Sequence, residues 1–582
     1  MTPSRTISRT ILDDPCFSAW LIAAALAWLI GWENYTGARV SNTLMHARYL
    51  AGLTVYSPDN IYAYSLHQTT VPFHGLLAVW LKLGFSEVTL SQSLCALTAM
   101  LHGQAFAMIA FAMCRRADAA VAVGVVMVYG MGFADGADYP LNMLISDPGA
   151  MAFGATMSFI GFVGLGWRRA ATATLVGLGL LHPVMALVAS ALSAAIALAS
   201  PRRPGFLDLR WLAGGLILVA AAWLAVRLGR PEVTAPPPAD PGFLESYYEI
   251  WDDHRNRPVN VRAWQILGQS VIAQVLLVLA LGRLNLAPAA RRMTLMLLLA
   301  GIGGIALWSG FHLLREHLPM VVLAAMPNRL LNLAEAPAFP LLAGLALVTG
   351  RPRWGAVIVA ALLGLGLFSH MNFGHGFVSI AMHKQMEKLA LIAAMLVVAA
   401  WLIRSRAALP IDYPWSWAKR FPTRYIAPAI AVAVLAAAVY TRRPDHSGPL
   451  ADLLGELARS GAVAVADEAI DPSLLPIRMP IVINTKQLDY LPYVPAAAPV
   501  YAAILKDIYG VDFFRVPVST ARQGALSGGT SWPVWRERPV AEWQEIRRTY
   551  GVDLIIASPK LKLKLEPIPD PRNVNGVLYR IP

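Results

Sequence analysis

Apolar runs close to the length of a membrane span recur along this chain as far as residue 440. They cover residues 17–33, 91–113, 118–134, 148–166, 208–228, 262–282, 293–310, 336–349, 354–369, 388–403 and 425–440. About 20 apolar residues in a helix cross the hydrocarbon core of a bilayer. Inside that core every backbone polar group must be satisfied by the chain itself, so these runs are read as helices. Charged residues make up 14% of the chain, against about 25% in soluble domains. The fold class that follows is an α-helical polytopic membrane protein with about 11–13 membrane helices. A soluble α/β domain is expected behind them.

The net charge of +13 does not indicate nucleic acid. Many of the arginines sit in short loops between apolar runs, where basic residues set orientation. Arg5 and Arg9, Arg115 and Arg116, Arg168 and Arg169, Arg291 and Arg292, and Arg351 and Arg353 all fall on one side of the implied path. That side is taken as cytoplasmic. The segments 34–90, 135–147, 229–261, 311–334 and 370–388 then lie outside. No small-residue cleavage site precedes Glu33, so the first run is expected to remain as a span. Residues 171–200 are too short for two full spans, yet both flanks are basic. His182-Pro183 interrupts them, which predicts two short or re-entrant helices broken at that dipeptide. Cys16, Cys95 and Cys114 lie in or beside apolar runs, with no CxxC spacing, and are read as small buried hydrophobes.

The division expected is 1–442 for the membrane domain and 443–582 for an outer α/β domain. In the tail, "AVAVAD" (462–467), "MPIVIN" (479–484) and "DLIIAS" (553–558) have strand length and Val/Ile content. "AEWQEIRRTYG" (541–551) reads as a helix capped by Gly551. "LKLKLEP" alternates with period two, as an edge strand would with Lys560, Lys562 and Lys564 wet.

Ionisable groups at a membrane edge are costly, so the outer segments hold the candidate site residues. Glu33, Asp59 and Asp138 are the candidate catalytic acids. Each also has a structural reading: Glu33 ends a span, and Asp59 and Asp138 sit in turn-forming sequence. Arg39, His46, Arg257, Arg329 and His182 are the candidate substrate-binding residues. Arg329, Asn332 and Glu335 share one helical face. That face could receive a phosphate through the guanidinium fork, or form an internal Arg–Glu brace. His182 could contact substrate or satisfy the broken helix. Tyr247, Tyr248 and Trp251 read as an interfacial belt or a sugar platform. The histidines lack HxxxH or HExxH spacing, so no metal site is expected, and a divalent ion has no support in the sequence.

In layout the chain resembles the polytopic glycosyltransferases of the GT-C fold. "HARYLAG" (46–52) and "VPFHGLLAVWLKLGFSEVTLSQSLCALTAML" (71–101) carry the resemblance, with the broken helix pair and the ending "YGVDLIIASP…GVLYRIP". The resemblance implies transfer of a sugar from a polyprenyl-phosphate carrier to an envelope glycan or glycolipid. It implies a multi-pass bacterial inner-membrane protein with a cytoplasmic N-terminus and a periplasmic C-terminal domain. The partners implied are the bilayer, the lipid carrier, the acceptor and polysaccharide-assembly proteins. One departure stands out. Where the family carries an acid pair, this chain has Ser41-Asn42. Asn cannot serve as the base that deprotonates an acceptor hydroxyl. Either another acid serves, with Asp59 preferred, or the protein is a non-catalytic scaffold that binds lipid-linked glycan. A transporter or polysaccharide polymerase ranks lowest, because the broken helix has no counterpart elsewhere in the chain and a long outer tail domain is not expected there.

Overall fold

The computed structural model describes residues 14–33, 41–129, 148–199, 205–252, 261–314, 317–349, 352–371, 380–404, 423–440, 457, 461–470, 478–486, 488–517, 520–522, 524–568 and 576–582. The first part of the chain is α1 Pro15–Glu33, α2 Ser41–Ala51, α3 Ile61–Thr69, α4 Pro72–Lys82, α5 Glu87–Cys114, α6 Ala117–Tyr129, α7 Pro148–Leu165, α8 Arg168–Leu181, α9 Pro183–Ala199 and α10 Leu209–Gly229. There follow α11 Pro241–Ser246, α12 Val261–Arg283, α13 Pro288–Leu314, α14 Met320–Ala325, α15 Asn332–Glu335, α16 Ala338–Thr349, α17 Pro352–Met371, α18 Ile380–Arg404 and α19 Thr423–Tyr440. Among the described residues, seven helical stretches are long and apolar enough to cross a membrane, and four shorter apolar helices accompany them. The protein is a polytopic helical membrane protein with a C-terminal α/β region.

Small residues set the centre of the bundle. The stretches holding α5, α7 and α16 are more than four-fifths buried. Between membrane helices, close backbone approach replaces much of the hydrophobic drive that operates in water. Accordingly, a Cβ on Gly124 of α6 would lie 2.5 Å from the Gly103 carbonyl oxygen of α5. One on Gly103 would lie 2.5 Å from the Ala27 Cβ of α1. At the opposite extreme α10 is only 6% buried. It presents Trp211, Ile217 and Leu228 outward, and a helix with such a surface is stable only against lipid.

The pair α8–α9 breaks at His182-Pro183, as the sequence predicts. His182 closes α8 through its N–H to the Leu178 carbonyl, and its Nδ1 accepts the Met185 N–H at 3.4 Å. The face 326–335 departs from one continuous helix. It is a 3₁₀ turn, Pro327–Leu331, then the single α-turn α15, entered through Met326 at φ 48°.

The C-terminal region carries β1 Val463–Ala466, the hairpin β2 Ala521–Arg522 and β3 Ala525–Leu526, β4 Val552–Ala557 and β5 Val577–Arg580. Its helices are α20 Ala498–Asp507, α21 Trp532–Glu537 and α22 Val540–Tyr550. The sheet runs β1-β4-β5, with β1 parallel to β4 and β4 antiparallel to β5. Two tail expectations need correction. "MPIVIN" contributes one parallel bridge, Ile481 to Ala464, rather than a strand. "LKLKLEP" keeps Lys560, Lys562 and Lys564 exposed but buries Leu561 and Leu565 in irregular backbone. Its last residue, Pro567, makes one antiparallel bridge to Tyr579 of β5, so the segment reaches the sheet edge only at its end. The expected helix stands as α22, closed by Gly551 at φ 66°.

The core of this region does not stop at the tail. Ile61, Tyr247, Tyr248, Trp251, Phe311 and Leu323 pack into the same apolar cluster as Val465, Tyr501, Trp535 and Ile555. The Trp251 Nε1 donates to the Phe513 carbonyl at 3.0 Å. The aromatic trio is therefore buried in the joint between the two parts, which is neither an interfacial belt nor an open platform.

Overpacking a close crossing costs about 1–3 kcal/mol. Gly124→Ala should lower the thermal midpoint, whereas Gly177→Ala, facing open space, should leave it unchanged or raise it. Differential scanning fluorimetry in detergent reads both.

Candidate functional site

Three short helices lie beside the first span: α2, α3 and α4. Their sequence explains their placement. On α4, Leu77, Ala78 and Leu81 are buried while Leu76 and Val79 remain exposed, so the helix shows apolar surface on two sides. Such a helix lies flat on a bilayer with one side in the protein. Asn60 starts α3 by accepting the Ala63 N–H, and its own amide donates to the Ile481 carbonyl at 3.1 Å. Ser65 and Tyr501 share a hydrogen bond at 3.1 Å. The C-terminal region thus holds α3 in place.

These helices bring together an unusual set of bases. His46 on α2 stacks on His74 of α4, with ring centroids 4.2 Å apart and planes inclined by 14°. The His46 Nε2 pairs with the Thr69 hydroxyl at 2.8 Å, and its ring meets the edge of Tyr490. The Val71 N–H donates to His74 Nδ1 at 3.1 Å. That contact makes Nδ1 the acceptor, so Nε2 bears the proton in the neutral ring. Arg230, directly after α10, donates from Nη2 to the Thr70 carbonyl at 2.7 Å. Tyr49 reaches the Pro231 carbonyl at 3.4 Å. Close by, Arg48 is buried against Glu87 at 2.6 Å, and Arg478 approaches the same carboxylate at 3.4 Å.

Three polar atoms in this cluster are buried with no hydrogen-bond partner among the described residues. They are His74 Nε2, His67 Nδ1 and Arg230 Nε. Leaving a buried donor unpaired costs about 1–3 kcal/mol. Burial, the neighbouring His46 and the Arg230 charge hold the His74 imidazole well below its ordinary range. Burial and then Arg230 lower His67 as well, opposed by the Pro231 backbone. Burial pushes the Tyr49 hydroxyl up to about 12. His74 Nε2 and Arg230 Nε are thus buried N–H donors without an acceptor, a chemistry that suits an anion.

Asp59 lies in the turn that precedes α3. It is exposed in the turn closed by the Asn60 N–H to the Ser57 carbonyl. The Thr234 N–H donates to the neighbouring Pro58 carbonyl at 2.8 Å. Arg230 and Thr234 are four residues apart, a span of at most about 14 Å. The loop that carries Arg230 therefore also holds the Asp59 turn.

The other candidates are scattered. Glu33 is exposed at the last residue of α1. His182 lies at the α8–α9 break, and Arg329 is half-buried in the 3₁₀ turn. Glu335, on the same proposed face, pairs with Lys388 at 3.4 Å, both side chains buried. Arg39, Asp138 and Arg257 lie outside the described residues. Among the described residues no three His, Cys, Asp or Glu side chains are placed to hold a metal. Sequence reading missed Arg230. Its signal was an arginine followed by proline at the outer end of an apolar run.

No family model matches this chain, and no curated protein matches it. Among solved structures it is similar to the crystal structure of ArnT from Cupriavidus metallidurans bound to undecaprenyl phosphate. The identity is 15%, the match covers 96% of this chain and 97% of that one, and the TM-score is 0.41. A likeness at that score carries no argument about fold or activity.

A buried ring held neutral in the fold takes up a proton near pH 6.5 once unfolded. The unfolded state then binds more protons, so stability should fall as pH drops below 6.5 and be unaffected above it. The slope approaches about 1.4 kcal/mol per pH unit for one such ring. Thermal midpoints from pH 7.5 to pH 5 should show this loss, and His74→Leu should reduce it, with His67 contributing part of what remains.

Proposed function

We propose that this protein is a membrane glycosyltransferase that takes a sugar from a polyprenyl-phosphate carrier. The observation that carries the reading is the pair of buried, unpaired donors, His74 Nε2 and Arg230 Nε. They lie among helices on the bilayer surface and next to the lipid-facing α10, where a carrier phosphate would sit. Arg230 and His74 would hold that phosphate and stabilise the charge that grows on it as the bond to the sugar breaks. Asp59, in the turn that precedes α3, would take the proton from the acceptor hydroxyl as it attacks the anomeric carbon. The carrier phosphate leaves as a phosphate monoester, and the acceptor oxygen forms the new glycosidic bond. Glu33 and Asp138 are the alternative bases. His46 would fix the His74 ring by stacking. In this reading residues 443–582 form a periplasmic domain of an inner-membrane enzyme and help to shape the acceptor side, the acceptor being an envelope glycan or glycolipid.

A second reading is favoured by Ser41-Asn42, where a catalytic acid pair would stand: a scaffold that binds the lipid-linked glycan without transferring it. Both readings need the anion pocket, and only the first needs a base.

Native mass spectrometry of the detergent-purified protein should find polyprenyl phosphate bound. Retention should fall about tenfold or more in Arg230→Gln and in His74→Leu, since a charge-assisted hydrogen bond contributes about 1.5–3 kcal/mol. Asp59→Asn should keep the lipid and lose sugar transfer. Wild-type protein that keeps the lipid but transfers no sugar would leave the scaffold reading standing, and full transfer in Asp59→Asn, Glu33→Gln and Asp138→Asn alike would remove all three as the base. Wild-type protein that takes up no added carrier would remove both.

A further inference from the structure

A second concave surface lies at the other end of the bundle. α10 runs from Leu209 to Gly229, a length of about 32 Å, and Arg230 at its far end belongs to the cluster described above. Its near end lines a groove of about 1070 Å³. The groove also takes in the start of α1 at Asp14 and the start of α8 at Arg168 and Arg169. The two sites are thus a membrane thickness apart, on opposite faces.

The groove has a floor and a charged rim. Phe17, Trp20, Phe162 and Trp167 form the floor, with Trp20 and Trp167 in edge contact at 5.8 Å and Phe162 and Trp167 stacked at 5.8 Å. The Trp20 ring is fixed by its Nε1 donating to Gln104 Oε1 at 2.9 Å. At the rim, Arg168 is held by a hydrogen bond from Nη2 to the Leu207 carbonyl at 3.0 Å. Arg169 is braced by Asp208 at 3.6 Å and lies over the Trp211 ring. Arg210 completes the basic set.

The two acids at this rim are already engaged. Asp14 caps α1 by accepting the Cys16 N–H at 2.9 Å. Asp208 caps α10 through the Arg210 and Trp211 N–H groups and also faces Arg169. The arginines therefore outnumber the carboxylates, and their unpaired N–H groups are donors with room for an anion. An isolated interfacial arginine or tryptophan would need no ligand to explain it. Here three arginines, two of them held in place by neighbours, ring a recess floored by four aromatic rings.

We propose that this groove binds the headgroup of an anionic bilayer phospholipid. The arginine forks would receive the phosphodiester, and the aromatic floor would receive the glycerol backbone and the first acyl carbons. Basic pockets between membrane helices at one leaflet recognise anionic headgroups in this way. The proposal does not depend on the glycosyltransferase reading, because it concerns the opposite face and residues that reading leaves unused.

The test uses the full-length protein in nanodiscs of phosphatidylcholine alone or of equal parts phosphatidylcholine and phosphatidylglycerol. The lipid retained after release into detergent is read by native mass spectrometry. Phosphatidylglycerol should be retained over phosphatidylcholine by about tenfold, and each of Arg168→Gln, Arg169→Gln and Arg210→Gln should cut that preference by up to about fivefold. Arg210→Gln changes an exposed side chain, so its result does not hang on folding. Arg210→Lys should retain most of the preference. Equal retention of both lipids, or an unchanged preference in all three variants, would overturn the site. Binding of glycerol phosphate with no phosphatidylglycerol retained would overturn a lipid as its occupant.

Discussion

The joint between the surface helices and the C-terminal sheet governs the outer half of this molecule. Neither part could bury its apolar face alone. α3 is only nine residues long, too short to be stable by itself in water, and it survives because Ile61 enters the core that holds Val465 and Tyr501. The sheet in turn has three strands and would expose those same side chains without α3 and the 247–251 turn. Gly524, at φ 66°, shows how tight the seam is, since a Cβ there would meet the Tyr247 hydroxyl and Asp489. The histidine side of the cluster hangs from this seam. α3 fixes Thr69 and Thr70, which meet His46 and Arg230, and Val71 fixes His74.

Hydrogen-bond accounting separates structural polar groups from candidate functional ones. Asp467 and Glu468 are as buried as any residue in the chain, yet both are fully engaged. Asp467 accepts from Ala469, Ser558 and the Trp532 ring, and Glu468 from the Ser531 N–H and hydroxyl. Burial raises the Glu468 carboxyl despite those bonds. Nothing there invites a ligand. His74 and Arg230 are different because their free atoms are donors with no acceptor. Gln269, Ser270 and Gln274 on α12 are also buried with unpartnered polar atoms, but they are neutral. Neutral amides and a hydroxyl suit ordered water, whereas the basic cluster suits an anion.

Much of the helical path was legible because hydropathy over 20 residues is a strong signal and is independent of tertiary context. α1, α5, α7 and α10 fall within a few residues of the apolar runs, and the His182-Pro183 break follows from proline chemistry alone. The tail was less legible because its short strands depend on partners. "MPIVIN" and "LKLKLEP" have strand-like patterns, yet "VAVA", "VDLIIA" and "VLYR" are the segments that find neighbours on both the core and the three-stranded ladder. The site was legible by halves. His46 and Asp59 could be singled out as outer-face polar residues. Their relation to His74, His67 and Arg230 could not, because it joins residues 46, 74 and 230 across three elements. Likewise, Glu335 could be placed on a helical face with Arg329, but its partner Lys388 lies 53 positions away in the chain.

α10 ties these observations together physically. It is barely buried and rests mainly on α8 through close contacts, such as Gly215 against Val176 and Gly179 against Val219. Protein packing alone gives such a helix little to define its depth in the bilayer. Its ends supply what its middle lacks. Asp208 and Arg210 mark one terminus, and Arg227 and Arg230 mark the other, leaving an uncharged apolar stretch between them. Charged termini around an apolar segment anchor a helix at both interfaces. A shift of α10 along its axis would drag Arg230 away from Thr70 and the His74 ring. If the cluster holds an anion as proposed, the depth at which lipid holds α10 would set whether that site is assembled. That coupling is why a sparsely packed helix can bear a residue on which a buried site depends.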